Sequence, residues 1–230
     1  MMKTIGVMGG LSWHSSLQMY EYINQYIADA LGEYHCAKLV LANVNLQEVF
    51  VTRKEEQELV LLEAAKQMES AGCDFYIICS NTMHKHVDFL NQHVSMPLLH
   101  IADATADAIL AKGISKIGLM GTRLTMEEDF YTARLQAKGL EVFIPDQEDR
   151  LFIDHVLYQE TGLGIVKEES SKAFYAIAQQ LMDKGAQGVI LGCTEIGMLM
   201  QQEHTKIPLF DTTVIHGETA AKLAIEEEMR

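Results

Sequence analysis

The sequence predicts an α/β fold of two pseudo-symmetric αβα halves with mainly parallel sheets and an active site in the cleft between them. Three observations carry that prediction. The first is an internal repeat. Lys3-Thr4-Ile5-Gly6-Val7-Met8-Gly9 resembles Ser115-Lys116-Ile117-Gly118-Leu119-Met120-Gly121 at an offset of 112 residues. Tyr76-Ile77-Ile78-Cys79-Ser80-Asn81-Thr82 resembles Val189-Ile190-Leu191-Gly192-Cys193-Thr194-Glu195 at 113, and Pro97-Leu98-Leu99-His100 resembles Pro208-Leu209-Phe210-Asp211 at 111. The second is that each repeated segment is a short apolar run ending in a glycine or a small polar residue, the pattern of a buried parallel strand feeding a loop. The third is helical periodicity between the runs, and strand–helix alternation implies parallel sheets covered by helices on both faces.

Taken in order, strands are expected near 3–8, 37–43, 74–79 and 97–100, then 115–120, 140–144, 187–192 and 207–210. Helices are expected at 14–31, 55–71, 102–112, 126–138, 168–184 and 213–228. In the second of these, Leu59, Leu62, Ala65 and Met68 recur at three-residue steps as a core-facing stripe, and Gly72 stops the helix. Gly185 stops the matching helix of the second half. The repeat places the halves at 1–113 and 114–230, with the C-terminal helix free to pack back onto the first.

Composition bounds the function classes. The chain has 230 residues, 48% hydrophobic and 22% charged, which is ordinary for a soluble globular protein. Its formal charge of −14 lacks the basic face that a nucleic-acid backbone or an anionic membrane demands. No apolar run approaches the roughly 18 residues that cross a bilayer, and the N-terminus reads as a first strand rather than a signal peptide. A soluble, cytoplasmic protein is expected, with neither nucleic acid nor membrane as partner. Its four cysteines, Cys36, Cys73, Cys79 and Cys193, are then free thiols. They form no C-x-x-C pair, so no metal is expected, and Cys36 and Cys73 read as small buried hydrophobes. Gly6-Val7-Met8-Gly9-Gly10 lacks the G-x-G-x-x-G spacing of a dinucleotide site. His84-Lys85-His86 reads as a surface helix or as structural hydrogen-bonding histidines. Trp13 reads as a packing or dimer-contact residue.

In parallel sheets ligands bind beyond the carboxyl ends of the strands, so the residues there are the candidates. Ser80 and Cys193 occupy equivalent repeat positions. Asn81 and Thr82 follow one, and Thr194 and Glu195 follow the other. Small residues entering a helix N-terminus expose N–H groups that suit a carboxylate. Two facing proton carriers suit inversion at carbon, where one removes a proton and the other delivers one to the opposite face. A thiol is fitted to this because its ordinary pKa of about 8.5 is within reach of neutrality. Thr122, after the repeated Gly-Leu-Met-Gly strand, is a candidate hydroxyl donor. Leu11 and Ser12, at the first glycine-rich turn, are expected to line the pocket through backbone groups.

Gly6-Val7-Met8-Gly9-Gly10-Leu11-Ser12-Trp13, Asn81-Thr82-Met83-His84 and Gly192-Cys193-Thr194-Glu195 resemble the cofactor-independent aspartate/glutamate racemases. His100-Ile101-Ala102-Asp103-Ala104-Thr105 and Asp211-Thr212-Thr213-Val214-Ile215-His216 extend the resemblance over nearly the whole chain. It implies two α/β domains, a pair of thiols as acid and base, neither pyridoxal phosphate nor metal, and a homodimer. It also implies substrate-facing roles for Arg53, in Val51-Thr52-Arg53-Lys54, and for Lys167, in Gly164-Ile165-Val166-Lys167-Glu168-Glu169. In one respect this chain departs from the family, which reads Cys-Asn-Thr where this chain reads Cys79-Ser80-Asn81-Thr82. A serine hydroxyl is a far weaker acid than a thiol. Either the pair is an asymmetric Ser80/Cys193 couple, or the backbone offers Cys79 instead; alternation along the strand points Cys79 away if Ser80 points in.

The function expected is racemisation of aspartate or glutamate by two-base proton transfer at the α-carbon. The alternatives are a sibling reaction of the hydantoin racemase or maleate isomerase type, and a catalytically degraded amino-acid-binding or regulatory protein. With a global charge of −14, a dianionic substrate needs local donors such as Arg53, Lys167 and the strand-end amides.

Overall fold

A computed structural model describes residues 1–32, 34–50 and 52–228. Seven strands and ten α-helices among these residues form two compact units. One comprises Met1–Ile101 with Thr213–Arg230, the other Ala102–Thr212.

The first unit holds β1 (Ile5–Gly9), α1 (Trp13–Leu31), β2 (Leu39–Asn43), α2 (Leu46–Phe50), α3 (Lys54–Ser70), β3 (Phe75–Ile78) and α4 (Val87–Asn91). Its sheet has the order β2-β1-β3 and is parallel throughout. The run at 97–100 contributes a single parallel bridge, Tyr76 with Leu98, rather than a full strand. Side chains alternate across this sheet as strand geometry requires. Ile5, Val7, Phe75, Ile77 and Cys79 face one way and pack with Met19, Ile23 and Ile27 of α1. Met8, Tyr76 and Ile78 face the other way and pack with Leu61, Ala65 and Met68 of α3.

Leu59 does not join that stripe; it is 61% exposed, and Leu61 and Ala64 are buried instead. Three-residue steps fall short of a 3.6-residue turn, so Leu59 and Met68, three steps apart, lie on opposite sides of the helix.

The second unit holds α5 (Ile101–Ala111), β4 (Lys116–Gly121), α6 (Arg123–Glu127), α7 (Asp129–Ala137), β5 (Glu141–Phe143), α8 (Gln147–Gln159), α9 (Glu168–Asp183), β6 (Val189–Gly192) and β7 (Leu209–Asp211). The parallel sheet order is β5-β4-β6-β7. The segment expected as one helix over 126–138 is two, with Glu128 in extended backbone between them. Helix α8 was not expected; it packs on β4 and carries Ile153, Val156 and Leu157 into the core.

The last helix, α10 (Thr212–Ile225), explains why the compact units do not follow the repeat. Its Ala220, Ala221, Ala224 and Ile225 complete the core on the α1 face of the first sheet. Conversely, α5 belongs to the second unit, where Asp103 and Asp107 pair with Arg134 of α7 and with Lys138 just after it, each at 2.7 Å. The helix that ends each repeat thus belongs to the compact unit of the other repeat. Among the described residues no helix is long and apolar enough to cross a membrane.

Cys73 is buried, but Cys36 is exposed, contrary to the expectation for it. It lies in the connection that leads from α1 to β2.

Candidate active site

Strand register brings the candidates of each unit to one edge. In the first unit Gly9 pairs with Asn43 and Met8 with Ile78, so Gly10-Leu11-Ser12 and Ser80 leave the sheet at the same level. The glycine-rich turn demands its glycine. Gly10 has φ +79°, and a Cβ there would run into the Val44 carbonyl oxygen. Ser16, which the sequence reading did not single out, locks the turn. Its Oγ accepts the Gly10 N–H at 2.8 Å and donates to the Ser12 carbonyl at 3.0 Å. Leu11 is buried beside it.

At the end of β3, Cys79 is 1% exposed within the α1-face core. Burial pushes its thiol up to about 12, against a smaller opposing effect of a hydrogen bond with Ser16. Ser80 follows on the other parity and is half-buried. Its Oγ accepts the Met83 N–H at 3.3 Å, opening a 3₁₀ turn over Thr82–His86. Asn81 and Thr82 are buried.

The turn is held from below by histidines, one of the two roles expected for His84-Lys85-His86. The His84 Nδ1–H donates to the Ser80 carbonyl at 2.7 Å, and its Nε2 accepts the Ile101 N–H at 3.3 Å. Its ring lies 4.4 Å from that of His100 and 5.9 Å from that of His216. The His216 Nε2–H donates to the Leu99 carbonyl at 2.8 Å. Complete burial lowers the His216 pKa to about 4, so it is neutral at pH 7. A histidine held below its unfolded value stabilises the fold fully above that value and progressively less as pH falls toward the folded one. Roughly 3 kcal/mol of stability is therefore expected to disappear between about pH 6.5 and pH 4 through this group. Urea titrations across that range check it; a His216→Gln variant with an equally steep acid limb would refute it.

Arg53 begins α3, where it is 84% exposed in its side chain and pairs with Glu56 at 3.2 Å. Val51 of that segment lies outside the described residues.

In the second unit Gly121 pairs with Gly192 and Leu191 with Asp211, which sets Thr122, Cys193 and Thr212 at one edge. Thr122 is buried and caps α6, accepting the Thr125 N–H at 3.3 Å and bonding the Thr125 hydroxyl at 3.0 Å. Cys193 is partly exposed in extended backbone ahead of a second 3₁₀ turn, Thr194–Met198. Its Sγ–H donates to Glu195 Oε2 at 3.0 Å, and the Thr194 hydroxyl donates to the same oxygen at 2.6 Å. Burial first, and the Glu195 charge second, hold the Cys193 thiol well above the usual thiol range. Tyr158 of α8 is pushed up to about 12 by burial and by the negative field of Asp154, Cys193 and Glu195. Asp154 and Tyr158 therefore belong to the thiol's surroundings, although nothing in their spacing marks them.

Lys167 pairs with Glu160 at 2.9 Å. Glu160 is buried and also accepts from the Ser170 hydroxyl at 2.6 Å. These two bonds, Ser170 first, hold its carboxyl below the usual range. Glu160 was not anticipated either. Among the described residues no cluster of three His, Cys, Asp or Glu side chains is set to hold a metal.

The family model described as Asp/Glu/Hydantoin racemase matches residues 8–220. Among solved structures, a provisionally assigned Asp/Glu racemase from Yersinia pestis is 42% identical, with 97% of this chain and 100% of that chain covered and a TM-score of 0.90. An aspartate racemase homologue from Pyrococcus horikoshii OT3 is 31% identical, covering 97% and 99% of the two chains with a TM-score of 0.85. The broad specificity amino-acid racemase RacX of Bacillus subtilis is 22% identical over 163 residues, 69% of this chain and 68% of its own length.

Proposed function

The chain belongs to the Asp/Glu/hydantoin racemase family and is an isomerase, and from that premise we propose that it racemises aspartate or glutamate at the α-carbon without a cofactor, through Cys193 and Ser80. The observation that carries this reading is Cys193 at a strand end, partly exposed and hydrogen-bonded through its thiol to Glu195. In the resting state Cys193 is a neutral thiol and therefore a proton donor. Acting as a base, it first gives up that proton, and Glu195 is placed 3.0 Å away to take it. The thiolate then breaks the α-C–H bond, and the electron pair passes into the α-carboxylate as an enediolate. A proton reaches the opposite face through Ser80 or a water it holds, and the inverted centre results. In the reverse sense the Cys193 thiol protonates the carbanion formed from the other side.

The substrate's charge asks for donors in both units. Thr82 and Asn81 with the 3₁₀-turn amides suit the α-carboxylate on the Ser80 side, and Thr194 suits it beside Cys193. Thr122 and the Leu11 backbone complete the set proposed to line the site. Lys167 suits the distal carboxylate. An ammonium has three N–H donors, and the anchored Glu160 aims it by taking one. Arg53, on its exposed helix start, is the second anchor. The reading includes a homodimer, supported by the exposed apolar stripe Trp13, Leu17 and Tyr20 along α1.

Deuterium uptake at the α-position of L- and D-aspartate and L- and D-glutamate in heavy water tests the reading. Uptake with formation of the mirror-image product is expected. The Ser80 hydroxyl in place of a thiol favours a second reading, an amino-acid-binding protein; tight binding without uptake would establish that instead.

A further inference from the structure

We propose that His86 is a positioning residue that braces the Ser80–Thr82 turn against the segment carrying Arg53, so that both substrate-holding parts of the first unit keep one spacing. The inference rests on the racemase reading above. His86 ends the 3₁₀ turn that begins after Ser80, and it is 0% exposed. The sequence gives no reason for an ionisable ring there; an aliphatic side chain would fill the space.

The ring instead meets a polar side chain at each edge. Its Nε2–H donates to Gln57 Oε1 at 3.2 Å, and its Nδ1 lies 3.4 Å from Glu58 Oε1. Both partners are on the first turns of α3, directly after Arg53. Gln57 passes the connection on. Its Nε2 donates to the Val49 carbonyl at 2.9 Å and to the Thr52 carbonyl at 3.2 Å. Those two bonds fix the amide so that its oxygen faces His86. Glu58 is held as well, by Lys54 at 3.8 Å.

An unbroken path thus runs from the strand end, through one buried ring and one amide, to two backbone carbonyls that precede the helix start. A ring that accomplished only packing would not need an amide acceptor held in place for its N–H. A strut between two binding segments acts on ground-state and transition-state binding alike. Its loss therefore raises KM and leaves kcat in place.

His86→Phe keeps the ring volume and removes both polar edges. Gln57→Leu cuts the same path at a half-buried position and spares the His86–Glu58 contact. With L-aspartate as probe, each is expected to raise KM about fivefold, the worth of one hydrogen bond, with kcat within about twofold. The double variant is expected to be no worse than either single one, because both break one path. His86→Gln, whose amide can still donate to Gln57, is expected to restore part of the loss.

KM unchanged in folded Gln57→Leu, or KM losses that multiply in the double variant, would overturn the proposal while leaving the racemase reading in place. Absence of α-deuterium uptake in the unsubstituted protein would overturn both. If His86→Phe does not fold, Gln57→Leu still decides the matter.

Discussion

Cys193→Ala is expected to reduce α-proton exchange by at least about a thousandfold while leaving the fold intact. The expectation follows from the four thiols taken one at a time. Cys73 and Cys79 are buried, and Cys36 is exposed in the connection between α1 and β2, ahead of a strand and not at its carboxyl end. Cys193 alone among them is partly exposed at the carboxyl end of a strand, with a carboxylate in hydrogen-bond contact. Alanine in its place leaves Thr194 and Glu195 without a group between them and the α-carbon. The cost to stability is small, about 1 kcal/mol, because the side chain removed is small and already partly solvated. Exchange followed by NMR, beside a thermal melt, separates the two effects. The reaction direction that uses Cys193 as the base should also speed up as pH rises above neutrality. Burial and Glu195 hold its proton on, and rising pH takes it off. A folded Cys193→Ala protein within tenfold of the unsubstituted rate would remove the thiol from the mechanism.

The parts of this site that were legible in the sequence are those that the chain writes twice. The repeat located β1 and β4, β3 and β6, and with them Gly10, Ser80, Thr122 and Cys193 at sheet edges. Alternation along β3 sets Cys79 and Ser80 on opposite faces, and Cys79 lies in the α1-face core. What the repeat does not contain was missed. Helix α8 stands where the first half has only the five-residue α2, and its surface carries so many charges that its apolar positions Ile153, Val156 and Leu157 do not stand out. Asp154, Tyr158 and Glu160 went unnoticed with it. Polar anchoring is the second blind spot. Ser16, Ser170 and Gln57 act through bonds to groups six to ten positions away in sequence, and nothing local distinguishes them from solvated side chains. Exchange of the terminal helices was legible only in part: the C-terminal helix was allowed to pack back onto the first half, but the passage of α5 to the second unit was not foreseen. A small, alanine-rich face such as that of α10 fits either sheet equally well by pattern, and only packing shows that it completes the first.

Ser80→Cys is expected to raise racemisation at least about tenfold and to bring the rates from the two enantiomers closer together. A hydroxyl is too weak an acid and too poor an unassisted base to match a thiol in carbon-acid chemistry. On the proposed reading the two carriers are unequal, and the enantiomer whose α-proton is taken by the thiol is expected to react faster. The position is prepared for a thiolate. Ser80 Oγ already accepts the Met83 N–H, and a sulfur there would receive the same donor, which favours its ionised form. Its neighbour is not prepared. Cys79 lies inside the core, where burial pushes its thiol up to about 12, so delivering it to substrate would mean flipping the end of β3 and emptying a packed position. Cys79→Ala should accordingly lower stability and leave the rate of the folded enzyme within about twofold. The opposite outcome, no gain from Ser80→Cys and loss of activity in Cys79→Ala, would transfer the second proton to Cys79. It would also require a strand end that rearranges when substrate binds.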